Sequence, residues 1–248
     1  MKKAVVIVAA GLIGFLSLLP KAQAVDKVYS PIVEGKGVKE IEVRGSYAFD
    51  NRARQNNART QKYAVGYGVT DHWFTEMYGE FAQAPDENGV MSKPKFTNLI
   101  WENRYQLFEQ GQYWLDAGLY LEYEKSFEHD HADNLEGKIL LEKSLPHFTH
   151  TANLIVEKEV MAHAKKETEA GVAWSSRYRL SRSIEPGFEY HVDFGEVRLH
   201  EPYNKQKYQV GPALYGKVRK VHYELVYLFG ISPASPDGML KWNLELEF

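Results

Sequence analysis

The sequence predicts an all-β fold: a single transmembrane antiparallel up-and-down β-barrel of about twelve strands. Three observations predict it. Apolar and polar residues alternate along nearly the whole chain after residue 38, the period of a strand with one apolar and one polar face. Longer polar connections alternate with short turns. The chain also ends on "LKWNLELEF", where Leu240, Trp242, Leu244, Leu246 and Phe248 share one parity and Lys241, Asn243, Glu245 and Glu247 the other.

At the amino terminus, Lys2 and Lys3 precede an apolar run from Ala4 to Leu19, followed by the small-x-small site Ala22-Gln23-Ala24. That is the form of a secretory signal peptide. Residues 1–24 are therefore expected to be removed, 25–37 to form a periplasmic segment, and 38–248 to form the barrel. The chain has no cysteine, so neither a lipid-anchored cysteine nor a disulfide is available. No second run of about 18 apolar residues follows, which excludes a helical membrane bundle. Half of each barrel strand faces a polar lumen, so modest overall hydropathy is compatible with a barrel. A net charge of -3 argues against a nucleic-acid partner.

In chain order, the apolar parity of the first strand is Ile41, Val43, Tyr47 and Phe49, and of the second Tyr63, Val65, Tyr67 and Val69. The third has Trp73, Met77 and Phe81, although Phe74 and Tyr78 fall on its other face. The fourth has Leu99, Trp101, Tyr105 and Leu107. The fifth has Tyr113, Leu115, Ala117, Leu119, Leu121 and Tyr123, and the sixth Leu135, Ile139, Leu141 and Leu145. The seventh has Ala152, Leu154, Val156 and Val160, and the eighth Ala170, Val172, Trp174, Tyr178 and Leu180. The ninth has Phe188, Tyr190, Val192 and Phe194, and the tenth Tyr208, Val210, Leu214 and Val218. The eleventh has Val221, Tyr223, Leu225, Tyr227 and Phe229; the terminal stretch closes the set. Each run is close to the ~9–11 residues a tilted strand needs to cross a bilayer.

The longer connections are expected near 50–60, 83–94, 124–133, 161–167, 199–205 and 232–238, and the short turns near 70–72, 108–112, 146–148, 181–185 and 219–220. An even strand count with short periplasmic turns puts both termini in the periplasm. Aromatics on the apolar parity then gather at both ends, as interfacial girdles do: Tyr47, Phe49 and Phe81 at one, Trp73, Tyr105 and Phe188 at the other. Lys39, Lys143, Lys158 and Glu196 carry charge on the lipid parity, each near a strand end, where the cost is small.

The terminal stretch resembles the carboxy-terminal assembly signal of Gram-negative outer-membrane β-barrels. Phe248, Leu246, Leu244, Trp242 and Leu240 match it position by position. The resemblance implies recognition by the barrel-assembly machinery and residence in outer-membrane lipid. A second stretch, "GYGVTDHWFTE" at 66–76, resembles the first hairpin of small outer-membrane transporters of the phenol-degradation MetA-pathway group.

The inward parity carries the chemistry. Its lumen lining is read as Glu102, Arg104, Asp116, Tyr120, Glu136, Lys138, Glu142, Glu169, Arg177, Glu189, His191, Asp193, Tyr215, His222 and Glu224, with Tyr78 and Trp114 as further aromatics. Acids outnumber bases by about two to one on this register. An acidic lumen containing Tyr and Trp favours a narrow channel or transporter for small cationic or neutral solutes, aromatic ones included. The alternative is a filled barrel, an anchor or scaffold whose outer loops bind a partner.

An enzyme ranks lower. His150 is the outward strand histidine and has no evident outward serine partner in sequence. Two inward groups, His191 with Glu189 and Asp193, and His222 with Glu224, could move a proton but lack a nucleophile. A metal site is considered at His129 and His131 of "EHDHAD", with His163 and His200 in later loops. No cofactor is expected.

Overall fold

A computed structural model describes residues 27–53, 55–86, 88–129, 131–162, 164 and 167–248. The expected signal peptide lies outside the described residues.

Twelve strands follow one another: β1 (Lys39–Phe49), β2 (Arg59–Gly68), β3 (Trp73–Gln83), β4 (Lys95–Gln106), β5 (Asp116–Ser126), β6 (Asp133–Ser144), β7 (Phe148–Val160), β8 (Thr168–Tyr178), β9 (Glu185–Glu196), β10 (Lys207–Val218), β11 (Val221–Gly230) and β12 (Gly238–Glu247). Each pairs antiparallel with its sequence neighbours, and β12 returns to β1, closing the barrel. At that seam Ile41 faces Leu246 and Gly45 faces Trp242, whose indole lies against the bare glycine backbone. Closure leaves no sheet edge, which a lipid environment demands.

The barrel is inside out relative to a soluble protein. Val65 is 63% exposed and Trp101 51%, while Glu102 and Glu189 are wholly buried. The pleat explains it: alternate residues face opposite sides, and the apolar side looks outward. Phe74 and Tyr78, the exceptions on the third strand, are wholly buried in the lumen. Aromatic contacts run around the outer face near the long-loop end, from Tyr63 to Phe81 (6.2 Å) and on through Phe96 to Phe127.

The described residues of connections 50–58, 84–94, 127–132, 161–167, 197–206 and 231–237 lie at one end. Connections 69–72, 107–115, 145–147, 179–184 and 219–220 lie at the other, beside Lys39 and Phe248, whose backbones bond each other (2.8 Å). Two expectations need correction. β5 begins at Asp116, so Tyr113 and Leu115 belong to a long connection, and Trp114 is an exposed turn residue rather than a lumen aromatic. Apolar parity runs on through that turn, where Phe108 packs on Tyr113 at 4.7 Å. Glu196 is also not a lipid-side charge. A bulge at Ala170/Gly171 shifts the register and sets Glu196 opposite Glu169.

Candidate functional site

The described part of the segment expected in the periplasm, Lys27 to Gly37, instead enters the lumen. It leaves β1 at the short-turn end, turns at Gly37 (φ 83°) and climbs inside the barrel. Pro31 keeps it from joining a ladder, and wall side chains bind it. Val33 N–H donates to Gln106 Oε1 (3.2 Å), and Glu34 accepts from Arg104 (3.1 Å). Pro31 lies against Gly118, whose missing Cβ would stand 3.0 Å from the proline ring. Lys27 pairs with Glu42 (3.0 Å) and with Glu245.

Tyr29 is the hub. It is wholly buried, and Asn153 of β7 holds its backbone at both groups: Tyr29 N–H donates to Oδ1 (2.7 Å), and Nδ2 donates to the Tyr29 carbonyl (2.8 Å). Its phenol donates to Glu102 (2.8 Å) and accepts from Arg44. The ring lies 4.8 Å from Tyr120, with Lys138 at 4.7 Å and Arg104 at 5.8 Å from its centre. Cations over a desolvated aromatic face are attractive.

Beside this layer, Glu189 accepts from Lys241, Tyr215 and His191, each at 2.7 Å. Lys241 also reaches Glu224 (3.3 Å). Two sequence groupings are therefore divided. Asp193 pairs with Lys207 (3.0 Å) instead of joining Glu189 and His191, and His222 pairs with Glu247 (2.7 Å) instead of Glu224. Residues two apart on a strand share a face, yet cross-strand neighbours stand closer.

Glu136 forms an ion pair with Lys138 (2.9 Å), and Glu142 accepts from Thr151 (3.1 Å) with Arg177 at 3.7 Å. Asp116, near the short-turn rim, accepts the Gly111 N–H (2.6 Å). Glu169 is exposed at the long-loop end. The sequence-derived lining residues thus fall in three levels of one lumen.

A feature the sequence did not expose is the cross-strand register of the acids. Directly opposed residues run Glu247, Glu40, Gly66, Glu76, Glu102, Glu122, Glu136, Glu157, Glu169 and Glu196, from β12 through β1 to β9. Strand stagger carries this row from the short-turn end to the long-loop end. Like charges directly opposed are destabilising, so nine glutamates in one row oppose stability unless compensated. Arg104 (3.4 Å from Glu76) and Lys138 do so in the lower and middle part.

Two larger cavities lie on either side of the Tyr29 layer. That at the long-loop end, about 270 Å³, is bordered by Glu122, Glu124, Glu136, Glu157, Glu169 and Asp193 against Lys62 and Lys207. That at the short-turn end, about 570 Å³, mixes Glu34, Glu185, Glu224 and Glu245 with Lys27, Arg104, Arg177, Arg182 and Lys217. The two have no lining residue in common.

On the outer face, His150 Nδ1 lies 2.8 Å from Ser176 Oγ, which also accepts from Trp174 (2.8 Å). This corrects the expectation that His150 lacks an outward serine. Ser176 was missed because the pairing joins β7 to β8 across the sheet. Among the described residues no carboxylate or amide bonds the other ring nitrogen, so the pair lacks the orienting group of a triad. His129 and His131 are exposed, and His131 Nδ1 lies 3.1 Å from the His129 carbonyl; among the described residues they gather no third ligand.

No protein-family model matches the chain, and no curated protein matches it significantly. Solved structures do resemble it. The COG4313 outer membrane channel from Pseudomonas putida F1 superposes with a TM-score of 0.62 at 9% identity, covering 91% of this chain and 100% of that one. The NanC porin gives 0.57 at 9% identity, covering 84% and 98%. At such identity the likeness is one of architecture: this chain has the fold of an outer-membrane β-barrel.

Proposed function

We propose that this protein is a narrow outer-membrane channel for small cationic or neutral solutes, closed in the described state by residues 27–37. The observation that carries the reading is the lumen itself: two cavities lie either side of a segment held only by non-covalent contacts to the wall, and Glu122, Glu136, Glu157 and Glu169 of the glutamate row border the one at the long-loop end. Such a row favours cations and repels anions. Tyr29, Tyr78, Tyr120 and Tyr215 line the buried middle, so a flat aromatic solute has rings to stack on once the segment moves. The likeness of 66–76 to the MetA-pathway group points the same way. The buried ion pairs favour a second reading, a filled barrel serving as an anchor.

The test uses the absence of native cysteine. Pro31→Cys with Gly118→Cys places two thiols at a Cβ separation of about 3.0 Å, near the 3.5–4.5 Å of disulfides. Planar-bilayer conductance should be low when oxidised and should return with reductant. Equal conductance in both states, with the cross-link verified by mass, would remove the segment as the gate. No conductance in either state, nor after deletion of 27–37, would leave the anchor reading.

A further inference from the structure

Glu40 and Glu42 of β1 and Glu76 of β3 offer one ligand oxygen each, all within 4.8 Å of one another. All three are at least 98% buried. Gly66 of β2 lies between Glu40 and Glu76 in the register, and it is what allows the approach. A Cβ there would meet the Phe74 ring at 2.7 Å and Glu76 Cγ at 3.0 Å.

The second observation is Glu40 itself. Neither of its carboxylate oxygens accepts a hydrogen bond among the described residues, nor does the Oε1 of Glu42 or of Glu76. Buried polar atoms are rarely left so. The neighbouring bases pair with carboxylates other than that of Glu40. Lys27 serves Glu42 and Glu245, Arg104 serves Glu34, Glu76 and Glu102, and Arg44 lies 3.5 Å from Glu42 and 3.7 Å from Glu102. Three bases thus answer five acids, and the sixth, Glu40, is left over.

We infer that Glu40, Glu42 and Glu76 form a binding site for a hard divalent cation of the Ca²⁺ class at the short-turn end of the lumen. All ligands are carboxylate oxygens, the donor such ions prefer, with no nitrogen or sulfur to select a softer metal. Ca²⁺ holds oxygens at about 2.3–2.6 Å, so ligands on opposite sides of one ion stand about 4.6–5.2 Å apart. Three oxygens within 4.8 Å of one another are close enough to share one such ion. It would tie β1 to β3 across Gly66, beside the foot of the lumen segment.

The test uses the full chain purified from outer membranes in detergent and stripped with EDTA. Titration with CaCl₂ by calorimetry should show one ion per chain, and Ca²⁺ should raise the unfolding temperature. Glu40→Gln and Glu76→Gln should each weaken Ca²⁺ binding at least tenfold, while Glu169→Gln, at the other end, leaves it unchanged. Glu40→Gln decides should Glu76→Gln not assemble, because Glu76 also partners Arg104. Absence of Ca²⁺ binding at millimolar concentration would overturn the inference. So would equal binding by Glu40→Gln, which would place an adventitious ion elsewhere. An unfolding temperature that follows pH but ignores Ca²⁺ would assign the cluster to protonated carboxyls and overturn it too.

Discussion

Replacing Asn153 with alanine should loosen the lumen segment without loosening the barrel. Asn153 is wholly buried, and its amide makes both hydrogen bonds to the Tyr29 backbone that a neighbouring strand would otherwise make. Losing two such bonds removes about 1 kcal/mol each, and leaving the two Tyr29 groups without partners adds a penalty that entering water reduces. A total of about 2–4 kcal/mol is expected. At 1.4 kcal/mol per factor of ten, the released population of the segment rises roughly 30- to 700-fold. Amide exchange at Tyr29 should accelerate by that factor, while exchange at Leu140 in the adjacent wall should not change. The open fraction in planar bilayers should rise in parallel. Unchanged exchange at Tyr29, with unchanged closed times, would refute the idea that this pair holds the segment.

Lys241→Met leaves Glu189 and Glu224 buried without their cation, so urea unfolding in detergent should show a loss of about 3–5 kcal/mol. Lys207→Met, at the more exposed Asp193 pair, should cost about 0–1 kcal/mol; equal losses would defeat the burial argument. Deleting Phe248 should lower outer-membrane levels while changing the stability of assembled protein little, because the residue is exposed at the rim; normal levels would remove the assembly signal. Burial pushes the Asp50 carboxyl up, but Arg52, donating from Nε (2.8 Å) and from its backbone (2.7 Å), outweighs this and holds it below the usual range. A depressed pKa stabilises above the unfolded value of about 4 and is lost as pH falls through the folded one. Proteolysis within 50–58 should therefore rise in acid for wild type and depend less on pH in Asp50→Asn.

The barrel was legible because its rule is local. Period two reports face, and face survives errors of a residue or two at strand ends. The rule failed where apolar parity outlived the strand, as at Tyr113 and Trp114, and where the bulge at Ala170/Gly171 reset the register under Glu196. The site was less legible because its contacts are long-range. Tyr29 meets Glu102 and Asn153 from 73 and 124 residues away, through side chains rather than a ladder, so "KVYSPIVEG" carries no periodic signal. Phe74 and Tyr78 were a visible clue. Two rings on the polar face need something to cover, and Arg104 and Arg44 lie over them at 4.9 and 4.4 Å. The acids were read as inward one by one, but only the pairing of strands shows that Glu102, Glu122, Glu136, Glu157 and Glu169 stand opposite one another.

That alignment decides where selectivity should reside. In the lower and middle lumen the row is compensated by Arg104, Arg44 and Lys138, and the cavity there has nearly balanced charge. At the long-loop end six acids border the cavity against two lysines, and Glu157 stands directly opposite Glu169. A low-dielectric wall concentrates that field on whatever enters. A channel opened by Asn153→Ala should thus prefer potassium over chloride, and the preference should fade as added salt shortens the screening length below about 10 Å. Glu157→Gln with Glu169→Gln should lower it more than Glu102→Gln, whose charge is already answered by arginine. Reversal potentials in a salt gradient measure both effects. An anion-preferring pore, or a preference indifferent to Glu157 and Glu169, would show that the exposed upper part of the row does not meet the permeating ion, and the acidic path would lose its physical basis.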